Sequence, residues 1–106
     1  MSTSSAPRAQ GGPARVGVVG AGYWGPNLVR NFMAAPGSAV TRVCDLRQER
    51  LSSLGKLYPA MKTCSESNAL IADPQIDAVI IATPVSSHFD LAMAALRAGK
   101  HVLVEK

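Results

Sequence analysis

Cysteine, aromatic residues and long apolar runs are all scarce in this 106-residue chain, and each scarcity excludes a class of answer. The two cysteines, Cys44 and Cys64, are too few and too separated in sequence for a metal knuckle or a disulfide framework. Both read as structural thiols, Cys44 because it ends an apolar run in which a free cysteine behaves as a small hydrophobe. No metal site is expected. No apolar stretch approaches the roughly 20 residues that span a bilayer, and the first 14 residues, MSTSSAPRAQGGPA, hold no apolar core of a signal peptide. No membrane partner and a cytoplasmic location are therefore expected. Aromatic residues make up 5% of the chain, with a single Trp. The formal charge of +4 thus comes without the aromatic interleaving that stacks on bases, and its Lys and Arg residues are spread singly. That pattern reads as a solvated surface and not as a nucleic-acid interface.

What is present is alternation. Residues 1–14 are rich in Ser, Ala, Gly and Pro and read as a disordered arm; residues 15–106 read as one domain. Val16, Val18 and Val19 form a short strand, followed by a helix with Trp24, Leu28, Phe32 and Met33 on one side, Pro26 in its first turn and Pro36-Gly37 at its end. Ala39 to Cys44 reads as a second strand. Leu51, Leu54 and Tyr58 recur at helical spacing, and Pro59 closes that helix. A third strand is expected over Met61 to Thr63, then a brief helix opened by Ser65 and Glu66 and broken at Asp73-Pro74.

Ala78 to Ala82 is continuously apolar, as a parallel strand buried on both faces should be. After Thr83-Pro84 a helix follows with His88, Leu91, Ala92, Ala95 and Leu96 aligned, and Gly99 stops it. His101 to Val104 reads as a buried fifth strand. Strand and helix alternating through short connections specify an α/β fold, a doubly wound parallel sheet of five visible strands in the order 3-2-1-4-5.

The first strand-to-helix junction carries chemistry. Gly20, Gly22 and Gly25 form G-x-G-x-x-G, and Asp45 stands twenty positions after Gly25 at the end of the second strand. In that context the pattern reads as a dinucleotide site. Gly20 permits the tight turn, Gly22 admits a pyrophosphate to the backbone, and Gly25 lets the helix lie close on the sheet. The free N–H groups of the helix N-terminus favour phosphate. Asp45 would accept hydrogen bonds from the adenosine ribose and repel a 2′-phosphate, so NAD is expected as cofactor over NADP. Arg47, two residues on, is placed to offset that repulsion or stack on adenine. A methyltransferase reading fits less well, since Val18 and Val19 stand where such enzymes usually carry an acidic residue.

In this strand order the crevice opens between strands 1 and 4, at their carboxyl ends. Thr83 and Pro84 then face the glycine turn across the cofactor. Glu105 and Lys106, at the carboxyl end of strand 5, fall on the nicotinamide side. Lys106 reads either as a proton donor to a substrate oxygen, if partial burial lowers its pKa, or as a solvated strand end. His88 reads either as a cofactor contact or as a residue packed between helix and sheet. His101, far from the crevice, reads as structural.

The segments VGVVGAGYWG, VCD, ATPVSSH and ALRAGKHVLVEK together resemble the N-terminal Rossmann domain of the Gfo/Idh/MocA family, the glucose-fructose oxidoreductase and inositol dehydrogenase group. The resemblance covers about residues 15–106. It implies that Lys106 matches the lysine of a Glu-Lys-Pro segment that acts in proton transfer at a sugar or polyol carbon. It also implies that Glu105 lies near the nicotinamide ribose and that His88 matches the family's histidine after the Thr-Pro turn. The Tyr23-Trp24 form of the glycine turn is similar to that of members acting on nucleotide-linked amino sugars and their uronic acids. A C-terminal domain that selects the substrate and builds a dimer or tetramer is implied beyond Lys106, so the domain is expected to be incomplete at its C-terminus.

Two functions remain open on these grounds. One is the NAD(P)-binding portion of an oxidoreductase that moves a hydride between a nicotinamide and the hydroxyl-bearing carbon of a sugar, nucleotide-sugar or polyol. The other is a non-catalytic NAD(H)-binding regulatory or sensor module. Lys106 separates them, because a sensor has no use for a proton donor.

Overall fold

A computed structural model describes residues 13–22 and 25–105. The expected arm over 1–14 falls almost wholly outside the described residues, as do Tyr23, Trp24 and Lys106. In chain order the elements are β1 (Ala14–Val19), α1 (Gly25–Ala34), β2 (Ser38–Cys44), α2 (Gln48–Leu57), β3 (Lys62–Cys64), α3 (Ser67–Ala72), β4 (Ala78–Ile81), a 3-10 turn (Val85–Ser87), α4 (His88–Arg97) and β5 (His101–Val104). The five strands form one sheet in the order β3-β2-β1-β4-β5, and every neighbouring pair is parallel. This is the expected doubly wound arrangement, with β1 and β4 adjacent where the strand order reverses.

Apolar side chains on the two faces of the sheet form two core layers. One gathers Val16, Val18, Val40, Val43 and Ile80 with Val29 of α1 and Leu51 and Leu54 of α2. The other gathers Val19, Cys44, Val79 and Ile81 with Leu70 and Ile71 of α3 and Ala95 of α4. In β4, Val79 and Ile81 go to one layer and Ile80 to the other, which is why its sequence shows no polar alternation. Between β1 and β2 the register slips at Val16 and Gly17, so that Val16 faces Val40 and Gly17 faces Arg42. Thr41 is the extra residue. Val40 and Val43, three apart, thereby share a layer that strict alternation would deny them.

Several boundaries and burials differ from expectation. In α1 the residue under the helix is Val29, while Leu28, Phe32 and Met33 are only partly buried. The reason is helical spacing: Gly25 and Val29, one turn apart, are the positions turned into the sheet. β3 starts one residue later than expected and α3 begins at Ser67, leaving Ser65 and Glu66 in the connecting loop. Leu96 is 56% exposed instead of lying on the inner face of α4. Among the described residues β5 pairs with β4, and Leu103 and Val104 are 46% and 43% exposed while Val102 packs on the core.

Two of the scattered cations have structural roles. Arg15 grips Asp77 through its backbone N–H and its guanidinium, at 2.8 Å and 3.1 Å. Lys100 donates its ammonium to the carbonyls of Asp73 and Ile76, at 2.6 Å and 2.7 Å, closing the end of α3. Burial of that ammonium lowers its pKa from the ordinary lysine value, against the pull of Asp73 and Asp77.

α3 lies close to β1 because Gly17 has no side chain; a Cβ there would stand 2.7 Å from Leu70 Cδ2 and 2.9 Å from Ile76 Cδ1. Leu70 is fully buried against this gap. Leu70→Ala is expected to lower unfolding stability by about 2–5 kcal/mol, the range for a buried leucine that leaves a cavity, measured by urea denaturation. A loss under about 0.5 kcal/mol would show that the α3 layer collapses around the change.

Candidate functional site at the carboxyl ends of the strands

The carboxyl ends of β1, β2, β3 and β4 open onto one cleft of about 850 Å³. Each strand contributes the residues just beyond its carboxyl end: Gly20 and Gly22 from β1, Asp45 to Arg47 from β2, Ser65 to Ser67 from β3, and Ala82 to Val85 from β4. The strands hand over in register, since Gly20 N donates to Cys44 O and Ala82 N to Val19 O. The cleft therefore extends from the β1–β4 junction across to β3. It does not extend under β5.

The glycine turn is shaped by close approach. Gly20 has φ of 102°, a conformation that L side chains rarely adopt, and a Cβ there would lie 2.8 Å from Ala82 O. At Gly25 a Cβ would collide with the carbonyl oxygen of Gly20, so any larger residue would push α1 away from the turn. The two glycines thus let the end of β4 and the start of α1 each come close against the turn.

Asp45 is the most constrained side chain of the site. It is 9% exposed and is the only buried charged residue among the described residues. Ala21 N–H donates to its Oδ2 and Arg47 N–H to its Oδ1, both at 2.7 Å. Arg50, three residues into α2, adds an ion pair at 3.6 Å to Oδ2. Two N–H bonds leave acceptor capacity on each oxygen, since a carboxylate has about four lone-pair sites. Ribose hydroxyls can therefore be received without undoing the turn.

Of the residues expected at the site, Gly20, Gly22, Asp45, Thr83 and Pro84 line the cleft. Gly25 lies buried beneath the turn. His88 does not line it; its Nε2–H donates to Thr83 O at 2.7 Å, so the ring braces the Thr83-Pro84 turn from behind. Ser87 Oγ donates to Thr83 Oγ1 at 2.7 Å and steadies the same turn. Glu105 stands beyond the cleft, and its N–H donates to Ile81 O, extending the β4–β5 pairing by one residue. The chain thus leaves β5 at the carboxyl end of the sheet, beside the end of β4.

Sequence reasoning missed Arg50 and Ser65 to Ser67. Arg50 was legible only as one of many dispersed cations; its spacing of five from Asp45, across a helix start, was the available signal. Cys44 and Cys64, distant in sequence, are paired neighbours on β2 and β3, and both are free thiols. Burial and the adjacent Cys64 push the Cys44 thiol up to about 12. Among the described residues no group of three or more His, Cys, Asp or Glu is placed to hold a metal ion.

The family described as "Oxidoreductase family, NAD-binding Rossmann fold", Gfo/Idh/MocA, matches residues 14–106. The chain belongs to it. Among curated relatives, this Gfo/Idh/MocA domain is 36% identical over 105 residues to a glycosyl hydrolase family 109 protein of Solibacter usitatus, covering 89% of this chain and 24% of the relative. It is 30% identical to a myo-inositol 2-dehydrogenase of Thermotoga maritima, covering 87% of this chain and 28% of that one. Among solved structures it is similar to scyllo-inositol dehydrogenase of Lactobacillus casei with bound NAD(H) and scyllo-inositol. The TM-score is 0.84 at 25% identity, over 90% of this chain and 28% of that chain. The chain thus spans about a quarter of the length of these relatives. It is an NAD-binding Rossmann domain of an oxidoreductase family.

Asp45→Ala should weaken NADH binding relative to NADPH by about tenfold, the weight of one charge-assisted contact; fluorescence titration with both cofactors measures the ratio, and an unchanged ratio would remove Asp45 from ribose recognition. Alkylation with iodoacetamide at pH 8 should label Cys64 well before Cys44, because only the thiolate reacts. Peptide mass spectrometry reads the order, and equal labelling would contradict it.

Proposed function

We propose that this chain is the cofactor-binding part of an oxidoreductase that transfers a hydride between NAD and the hydroxyl-bearing carbon of a sugar, nucleotide-sugar or polyol. The observation that carries the reading is the cleft formed by the glycine turn and Asp45 at the carboxyl ends of the strands, in a chain of the Gfo/Idh/MocA family. The inositol dehydrogenases among its relatives support a polyol or sugar as substrate.

In this reading the labour divides along the sheet. The glycine turn and the α1 N-terminus receive the pyrophosphate, and Asp45 receives the adenosine ribose. Thr83 and Pro84, braced by His88 and Ser87, form the facing wall. Tyr23 and Trp24, within the glycine turn, are assigned to the cofactor side. A bound nicotinamide supplies the hydride acceptor or donor. Glu105 is assigned to the nicotinamide ribose, and Lys106 exchanges a proton with the substrate oxygen as the carbon is oxidised or reduced. The main-chain bond from Glu105 to Ile81 supports the assignment of Glu105, because it holds that residue at the end of the sheet at which the cofactor would lie.

Residues 15–106 act as the dinucleotide-binding unit, and substrate selection and the assembly into a dimer or tetramer belong to parts of the protein outside these residues. The described residues contain no helix long and apolar enough to cross a membrane.

Lys106→Ala in the intact enzyme is expected to lower turnover about a hundredfold or more, as loss of a general acid–base group does, while NADH affinity stays within a few-fold. Steady-state kinetics and NADH titration separate the two effects. Full turnover by the variant would exclude the proton-transfer role and favour a module that binds NAD(H) without chemistry.

A further inference from the structure

The proposed hydride transfer gives no part to the two thiols that stand side by side under the cleft. Cys44 and Cys64 are register partners on the parallel strands β2 and β3, each the last residue of its strand, and both are free. Their side chains lie on one face of the sheet. Cys44 is buried in the core layer that holds Leu70 and Ile71 of α3, and Cys64, partly buried, packs against that same layer. At the rim, Cys64 Sγ makes only a long contact to Glu66 O, at 3.6 Å.

Neighbouring strands lie about 4.8 Å apart, within the span of roughly 4.4–6.8 Å between the Cα atoms of a disulfide. The Cβ atoms of a disulfide approach to about 3.8 Å, so a bond here has to draw the two strand ends together. A bond strained in this way is readily reduced again, which is the character of regulatory disulfides. The backbone of the same two residues supports the cleft. Cys44 O accepts the N–H of Gly20 at 2.7 Å, and Cys64 O accepts the N–H of Asp45 at 3.1 Å. Asp45, Ser65, Glu66 and Ser67, which follow directly on the two cysteines, line the cleft. Movement of the strand ends is therefore movement of the cleft wall.

We propose that Cys44 and Cys64 form a reversible, hydroperoxide-sensitive disulfide that lowers the affinity of the cleft for its dinucleotide. The effect on affinity rests on the dinucleotide reading of the cleft; the bond itself does not. Cys64, the more accessible sulfur, attacks the O–O bond as its thiolate and becomes a sulfenic acid, while the alkoxide or hydroxide leaves and takes a proton from solvent. The Cys44 sulfur then attacks the Cys64 sulfur. The S–O bond breaks, and the hydroxyl departs as water with the Cys44 proton, so the two thiols have supplied the electron pair that reduced the peroxide. Burial and the charge of a Cys64 thiolate hold the proton on Cys44, and the second of these vanishes once Cys64 is a neutral sulfenic acid. A small dithiol reverses the bond by exchange.

The test uses the intact protein, reduced, freed of reductant and treated with hydrogen peroxide. Non-reducing peptide mass spectrometry should find a Cys44–Cys64 linked peptide, and dithiothreitol should remove it. NADH titration, read by nucleotide fluorescence, should show an affinity about tenfold lower in the oxidised form, the weight of one lost hydrogen bond, and its recovery with dithiothreitol. Cys64→Ser, altered at a side chain outside the cleft lining, should bind NADH within about twofold of the unsubstituted protein before and after peroxide. Oxidation of Cys64 to a sulfinic acid with Cys44 still free, or a link between two chains in its place, would overturn the proposal. So would a linked protein whose NADH affinity is unchanged, or an equal loss of affinity in peroxide-treated Cys64→Ser. If the reduced protein binds no NADH, the dinucleotide reading falls and the switch with it, and the linked peptide is still read by its mass.

Discussion

The carboxylate of Asp45 is the constraint around which the cleft is organised. A buried charge is costly unless it is paired and hydrogen-bonded, and this one is satisfied by groups from the glycine turn and from the start of α2. Ala21 belongs to the glycine turn, Arg47 to the entry of α2, and Arg50 to the first turn of that helix. The backbone N–H of Asp45 itself donates to Cys64 O, which adds the end of β3. The side chain expected to meet the cofactor ribose also ties together the loops that form its pocket.

Close approach at the glycine turn does the corresponding work on the other wall. With no Cβ at Gly20, the end of β4 comes against the turn, and with none at Gly25, α1 begins directly beneath it. The Thr83-Pro84 segment is in turn held by His88 and Ser87 on the following helix. The cleft wall at this position is thus a set of backbone segments fixed by hydrogen bonds, which suits a ligand recognised through phosphate and ribose.

The parts of the molecule that are local in sequence were legible in it. Strands at Val16–Val19 and Ala78–Ile81, the helix over Leu51 and Leu54, the glycine turn and the acidic end of β2 all arise from periodicity and turn chemistry within a dozen residues. Less legible was anything that depended on which strand lies at an edge. The run His101 to Val104 is as apolar as a central strand, yet among the described residues it pairs with β4 alone, and three of its four residues are exposed. The roles of individual polar residues were hidden for the same reason. His88 reads identically whether it faces a cofactor or holds a turn, and a carbonyl five residues earlier decided where its ring points.

By itself the sequence determined the fold class, the strand order and the glycine turn after the first strand, because hydrophobic period, glycine placement and short crossovers are local or topological properties. Only the tertiary structure decided what meets across the sheet. The bulge at Thr41 sets the faces of β2, the register of β2 and β3 makes neighbours of Cys44 and Cys64, and the start of α2 carries Arg50 back over Gly22 onto Asp45. These contacts join residues from separate elements, and their partners are chosen by the packing of strands and helices, which no single stretch of the chain records.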